Sequence, residues 1–405
     1  MRIAQFTNFY LPIVNGVVRS VESFREELTR RGHSVFVFAQ DAPDHEDVAP
    51  FIFRYPSLPL PTQMDVSAVI PVSNFVDKLL PSLKPQVIHT HHPVLLGQTA
   101  ARKADELDLP LVFTFHTQYR EYTHYIPLPQ EAIQEFLKET VETWLRDFMR
   151  KCQHIVIPSQ SMKDILVNEY GLQDRFTVIP TGIDLEPYAQ ADGNALRSRK
   201  GWNDDKVLIS VGRLGEEKNW PTLLKAAQKA HQKHPDLRVV IIGDGQDKDE
   251  LQNLVAELGI TERVEFTGQL PFTEVAAYLK AADIFGFASV TETQGLVTME
   301  ALAAGLPVTA VDASGTRDIV EDGEQGYLVR NDADALSDSL IRLLDSPETR
   351  HRFSANAIKR AKTFDIQQCA RQLVDVYERA MQDKVNERFV GIEDYGKDFQ
   401  YADAN

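Results

Sequence analysis

The stretch ASVTETQGLVTMEALAAGLPV, residues 288–308, decides how the rest of the chain is read. A β-rich run, ADIFGFAS, leads into it and a helix-like run follows. Glu292 and Glu300 lie on either side of this seam, and Gly295 stands between them. Glycine at such a position lets backbone approach a ligand closely and adopts a turn closed to other residues. The amides of Gly295, Leu296 and Val297 then sit at a helix start, where unpaired N–H groups attract anions.

Glu292, beside those amides, can accept hydrogen bonds from a polyol. Glu300 lies one or two turns farther on and reaches another part of the same ligand. A nucleotide sugar fits the pattern: sugar hydroxyls at Glu292, phosphate at the amides, ribose hydroxyls at Glu300. A carboxylate near a first helical turn is also simply a favourable helix end, so the pair alone leaves both readings open.

Outward from the seam, short apolar runs alternate with amphipathic ones. RIAQFTN, HSVFVFAQ, QVIHTHHP, LPLVFTFHT, HIVIPS and RFTVIPTGI read as strands. VRSVESFREELTRRG, with Val17, Val21, Phe24 and Leu28 at helical spacing, LLGQTAARKADELDL and SMKDILVNEYGL read as helices. The plan repeats in KVLISVGRL, LRVVIIGDG, VEFTGQLP, ADIFGFAS, LPVTAVD and GYLVRN, with helices between. Such alternation predicts an α/β chain with parallel sheets covered on both faces. The polar section near residues 185–200 separates the two systems. The expected division is 1–190, 191–375, and a crossover helix with a polar tail over 376–405. A length of 405 residues agrees with two domains. Ligand sites in open parallel sheets lie beyond the carboxyl ends of the strands, so residues just after strands are the first candidates.

Composition removes several classes. The chain is 43% hydrophobic and 25% charged, with a formal net charge of −16. Residues 1–185 hold 17 basic and 22 acidic side chains and the remainder 26 and 37, so neither half is a polycation suited to nucleic acid. An apolar run of membrane-spanning length is absent. MRIAQFTNFYLP reads as a first strand and lacks the apolar core and cleavage site of a signal peptide. Cys152 and Cys369 offer no disulfide framework; they read as packing residues in a reducing compartment.

Four further motifs follow strands. In SVGRLGEEKN, Arg213 and Lys218 are two cations in one loop, suited to a diphosphate or, alternatively, to surface pairs with Glu216 or Glu217. In FYLPIVNGV, Asn15 and Gly16 precede a helix, where a glycine turn presses amides on a phosphate or sugar. IIGDGQDKDEL repeats that form with Gly243 and Gly245. Histidines cluster in VIHTHHP (His89, His91, His92) and FTFHTQY (His116). They read either as groups facing a ligand or as buried imidazoles held by backbone, and no metal-binding spacing accompanies them.

Together, GRLGEEKN, VTETQGLVTMEALAAGLPV and YLVRNDADALSDSL resemble the retaining glycosyltransferases of family 4, over about residues 1–380. That resemblance implies the GT-B architecture, two Rossmann-like domains facing across a cleft. It implies that Gly16 lies over the donor diphosphate and that Arg213 and Lys218 bind it. It also implies that Glu292 holds donor-sugar hydroxyls, Glu300 the ribose, and Leu296 and Val297 a phosphate. His116 would stand beside the sugar, and FTGQLP, with Leu270, would line the base pocket. His116, Glu292, Arg213 and Lys218 are thus the expected catalytic residues. ETQGLV, NFYLPIVNGVVRSV and the HTHHP…FHTQYREYTHYIP wording are similar to bacterial diacylglycerol glycosyltransferases and sulfoquinovosyl-diacylglycerol synthase relatives.

The resemblance therefore implies transfer of a hexose, glucose first, from a UDP-sugar to diacylglycerol or a related glycolipid, with retention and without a metal or redox cofactor. GDP- and ADP-sugars stay open as donors, and a sugar, sugar phosphate or polysaccharide as acceptor. A sugar-nucleotide-binding module is the non-enzymatic alternative. A lipid acceptor implies a cytoplasmic enzyme peripheral on the inner face of the plasma membrane. Tyr119, Tyr122, Tyr125, Ile126 and Leu128, followed by Phe136, Trp144, Phe148 and Met149, read either as an interfacial face or as an ordinary core-facing helix.

Overall fold

The run RIAQFT forms strand β1 (Arg2–Thr7), buried at every residue after Arg2. A strand buried on both faces needs helices above and below and parallel neighbours on each side. In the computed structural model, which describes residues 1–13, 15–42, 45–59, 67–117 and 131–393, β1 pairs in parallel with β2 (Ser34–Gln40) and β6 (Val87–Thr90). β3 (Ile52–Tyr55), β7 (Leu111–Thr114), β8 (His154–Ile157) and β9 (Phe176–Val178) complete a parallel sheet of order β3-β2-β1-β6-β7-β8-β9. β4 (Ser57–Pro59) and β5 (Ser67–Val69) form a small antiparallel pair.

A second parallel sheet runs β12-β11-β10-β13-β14-β15. Its strands are β10 (Lys206–Val211), β11 (Leu237–Ile242), β12 (Val264–Gly268), β13 (Ile284–Phe287), β14 (Val308–Val311) and β15 (Gly326–Val329). Each sheet reverses its strand order once, between β1 and β6 in the first and between β10 and β13 in the second. Loops part at such a switch point and leave a crevice beyond the strand ends.

By its contacts the chain divides into Met1–Ile179 with the chain from Ala370, and Pro180–Cys369. Each unit is a Rossmann-like α/β layer. In the second, one apolar cluster built on Ile209, Phe285 and Met299 and another built on Leu208, Trp220 and Leu340 cover the two faces of the sheet. Residues 186–200, polar in sequence, are not an irregular linker. They form helices Glu186–Gln190 and Gly193–Lys200 within the second unit. Arg197 holds them down by donating to Ala281 O at 2.7 Å and Asp205 O at 2.5 Å, beside the buried Trp202. The long helix Ile366–Val385 starts in the second unit, and from Ala370 it belongs to the first.

The first helix, Gly16–Arg30, is capped by Asn15, whose side chain accepts the Val18 N–H at 2.9 Å. Its buried stripe begins at Val18, Val21, Phe24 and Leu28 rather than at Val17, because the cap fixes the helix phase. In the helix Glu131–Met149, Phe148 and Met149 are fully buried and Trp144 packs against the same core. Phe148 and Met149 are committed to the interior, which removes them from an interfacial face, and Trp144 is half-buried. Tyr119, Tyr122, Tyr125, Ile126, Leu128 and the Phe136 side chain lie outside the described residues. Among the described residues no helix is long and apolar enough to cross a membrane.

Candidate active site

At the switch point of the second sheet, two loops from neighbouring strands meet. The loop after β10 is held by backbone: Gly212 N–H donates to Ile242 O at 2.9 Å, Leu214 N–H to Asp244 O at 2.9 Å, and Trp220 Nε1–H to Arg213 O at 3.0 Å. Asn219 then turns through φ 52° and donates from Nδ2 to Ala288 O at 3.2 Å, tying this loop to the one after β13. Lys218, one residue earlier, is thereby brought onto Glu292.

Lys218 Nζ and Glu292 Oε1 form an ion pair, with side chains only 20% and 15% exposed. Ser289 Oγ bonds the same carboxylate oxygen at 2.8 Å, and Ser314 Oγ donates to the Glu292 carbonyl at 3.0 Å. The ammonium also lies 5.8 Å from the centroid of the Phe287 ring. Arg213 is half exposed and forks onto Glu217, from Nε at 3.1 Å and Nη2 at 2.5 Å. The two cations therefore differ: Arg213 takes the surface partner that the sequence offered as its alternative, whereas Lys218 pairs with the seam carboxylate.

Gly295 adopts φ 72°, ψ 56° and starts the helix Leu296–Ala303. Leu296 and Val297 are its first residues and half-buried; Glu300 is in the second turn and 1% exposed. Leu270 follows edge strand β12 and packs partly against the core beside the next helix. Gly16, exposed at the first helix start, belongs to the other unit.

Gly315 carries the floor of the site. Its φ is 78°, and a Cβ there would stand 2.7 Å from both Glu292 Cβ and Glu292 O. Gly315→Ala is expected to displace Glu292 and to lower stability by about 1–3 kcal/mol, from backbone strain plus overpacking. The measurement is a urea midpoint together with turnover, and an unchanged midpoint would refute the tight approach.

Gln294 stands in the sequence only as part of the ETQGLV wording. Its buried amide pairs both ways with the Thr181 backbone: Oε1 accepts Thr181 N–H at 2.8 Å, and Nε2 donates to Thr181 O at 3.2 Å. Glutamate cannot donate the second bond, so Gln294→Glu reverses one contact, and Gln294→Ala removes both. We expect each to cost about 2–3 kcal/mol. Chemical denaturation checks this, and a loss below about 0.5 kcal/mol is the failing result.

The first unit gathers four histidines, His89 within β6, His91 and His92 just beyond it, and His116 beyond β7. His91 Nδ1 and His116 Nε2 share a hydrogen bond of 2.9 Å. His89 is held by Tyr377 Oη at 2.8 Å on Nδ1 and by Thr114 Oγ1 at 2.7 Å on Nε2. His92 Nδ1 accepts the Asn8 N–H at 3.1 Å. Burial pushes His89, His92 and His116 down to about 3 and holds His91 well below its ordinary value, so all four are neutral at pH 7. Side chains thus hold His89, His91 and His116, and one backbone amide holds His92. Among the described residues no three His, Cys, Asp or Glu side chains are grouped to share a metal ion.

Sequence reasoning missed Ser289, Ser314 and Tyr377. Ser289 had a weak signal, since it ends the β13 run. Tyr377 had none, standing 288 residues from its histidine.

Residues 193–360 match the family described as Glycosyl transferases group 1, and residues 14–187 match Glycosyltransferase Family 4. An alpha-monoglucosyldiacylglycerol synthase of Acholeplasma laidlawii is 32% identical over 367 residues, 88% of this chain and 92% of that protein. One of the same description from Streptococcus pneumoniae is 32% identical over 86% of this chain and 79% of its own length. A crystal structure of Anabaena HepE in complex with UDP and glucose superposes with a TM-score of 0.74 at 19% identity, covering 93% of this chain and 99% of that one. Its likeness bears on the fold alone, which is GT-B. Both halves match in order, and the relatives align along nearly the whole length, so the chain belongs to the group 1 and family 4 glycosyltransferases.

Proposed function

We propose that this glycosyltransferase moves glucose from UDP-glucose to diacylglycerol or a related glycolipid acceptor, with retention of configuration. The observation that carries the reading is the Lys218–Glu292 pair at the β10/β13 switch point, a cation and a carboxylate placed side by side. The acceptor is supported by the two relatives described as monoglucosyldiacylglycerol synthases.

In this reading Lys218 and Arg213 take the charge that develops on the departing diphosphate, helped by the amides at Leu296 and Val297. Glu292 holds sugar hydroxyls, Glu300 the ribose, and His116 stands at the sugar. Gly16 lets backbone lie over the diphosphate, and Leu270 lines the base. The bond from the anomeric carbon to the diphosphate oxygen breaks. The acceptor hydroxyl oxygen bonds to that carbon on the same face, and its proton passes to the leaving phosphate oxygen. A double displacement through a carboxylate would give the same stereochemistry; trapping of a glycosyl-enzyme would favour it and overturn the front-side route.

Nucleoside diphosphate release is the test, against UDP-, GDP- and ADP-sugars with and without diacylglycerol in mixed micelles. Release from UDP-glucose that rises sharply with lipid is the expected result. Release that ignores lipid but responds to a soluble sugar overturns the acceptor. Silence with every donor, with tight nucleotide binding on titration, overturns the enzyme.

A further inference from the structure

His91 and His116 are both neutral, so a single proton serves the hydrogen bond between His91 Nδ1 and His116 Nε2. The other nitrogen of His91, Nε2, is buried and has no partner among the described residues; His91 as a whole is 1% exposed. A buried N–H with no acceptor is rarer and costlier than a bare lone pair. The His91 proton therefore sits on Nδ1 and is donated to His116 Nε2. His116 Nε2 accepts, and its own proton lies on Nδ1.

The ring of His91 is also braced. Its centroid lies 4.3 Å from that of His89. His89 is fixed at both nitrogens, by Thr114 on β7 and by Tyr377 on the helix Ile366–Val385.

We propose that His91 is a positioning residue that sets the tautomer and ring plane of His116, so that His116 offers an Nδ1–H donor, with Tyr377 bracing the pair through His89. The inference rests on the reading of His116 as a group at the donor sugar. It adds a sense to that contact: a sugar hydroxyl accepts from His116, and His116 is not the base, because its one lone pair is occupied by His91.

Two substitutions of equal size separate the senses. His91→Asn places an amide N–H near the former Nδ1–H. His91→Asp places an acceptor there and calls for Nε2–H on His116. Side-chain nitrogen NMR of 15N-histidine-labelled, donor-free protein reads the tautomer. Nδ1–H on His116 is expected in the wild type and in His91→Asn, and Nε2–H or a doubly protonated ring in His91→Asp. In turnover, His91→Asn should stay within about threefold, while His91→Asp and His91→Leu lose about 10- to 100-fold in kcat/KM. Nε2–H on His116 in the wild type overturns the inference, as does a His91→Asp enzyme as active as His91→Asn.

If substitutions at His91 prevent folding, Tyr377→Phe keeps the ring and removes only Oη; mixed His116 tautomers are then expected, and an unchanged spectrum overturns the brace. A chain that turns over no donor refutes the proposed function, while the spectra alone still decide the tautomer.

Discussion

Replacing Lys218 by methionine is expected to lower kcat/KM for sugar transfer by about 10²- to 10³-fold, the loss typical of one removed electrostatic stabiliser. Two effects have to be separated. The substitution removes a cation from the proposed diphosphate site, and it leaves the Glu292 carboxylate with Ser289 as the partner of its Oε1. The second effect is one of stability, about 1–3 kcal/mol for a mostly buried carboxylate that loses its ion-pair partner. A Lys218→Met, Glu292→Gln double variant tells them apart. With both charges gone the stability loss shrinks, because no charge is stranded. Activity is not expected to return, because in the proposed function the diphosphate still lacks its cation and the sugar its carboxylate. Diphosphate release and a denaturant midpoint on the four proteins are the measurements. Recovery of turnover in the double variant would mean that the pair is only structural.

Acidification from pH 7 to pH 5 is expected to destabilise the first unit steeply. Five histidines there, His89, His91, His92, His116 and His154, have pKa values held below the ordinary 6.5 mainly by burial, with His154 at about 4. In the unfolded chain they titrate near 6.5. Between that value and the depressed folded values, the unfolded state binds more protons, so stability falls as pH falls. It is fully present above about pH 6.5 and erodes from there downward. Each histidine contributes a slope of about 1.4 kcal/mol per pH unit once the unfolded form is protonated. Most carboxylates begin to titrate only below about pH 5, so the window from 7 to 5 isolates the imidazoles. Urea midpoints at pH 7, 6 and 5, with proton uptake on unfolding at pH 5.5, measure the effect. A flat midpoint across the window would mean that the imidazoles are hydrated and not buried as described.

Much of this was legible in the letters, for a physical reason. Strands covered on both faces are short continuous apolar runs, such as VFVFA and VVII, and helices show a stripe that only the cap can shift by one residue, as Asn15 does at Val18. The regions read least well are those whose apolar content is thin. Residues 186–200 look like a linker because Arg197, a charged residue, supplies what holds them: hydrogen bonds to Ala281 and Asp205 carbonyls far along the chain. Likewise β3 and the β4–β5 pair are short edge elements without an alternation of their own.

The sequence by itself determined the alternation of strand and helix, the two-unit plan and the identity of the loops that follow strands, because each depends on local pattern. It supplied Glu292, Lys218, Arg213 and His116 as separate candidates. Only the tertiary structure decided which of them meet. Lys218 reaches Glu292 across 74 residues because β10 and β13 are neighbours at the switch point, and parallel pairing between distant strands leaves no trace in spacing. For the same reason Gln294 closes on Thr181, His91 on His116 and Tyr377 on His89: a hydrogen bond between buried groups is selected by the packing that removes water from both, and that packing exists only in the folded chain.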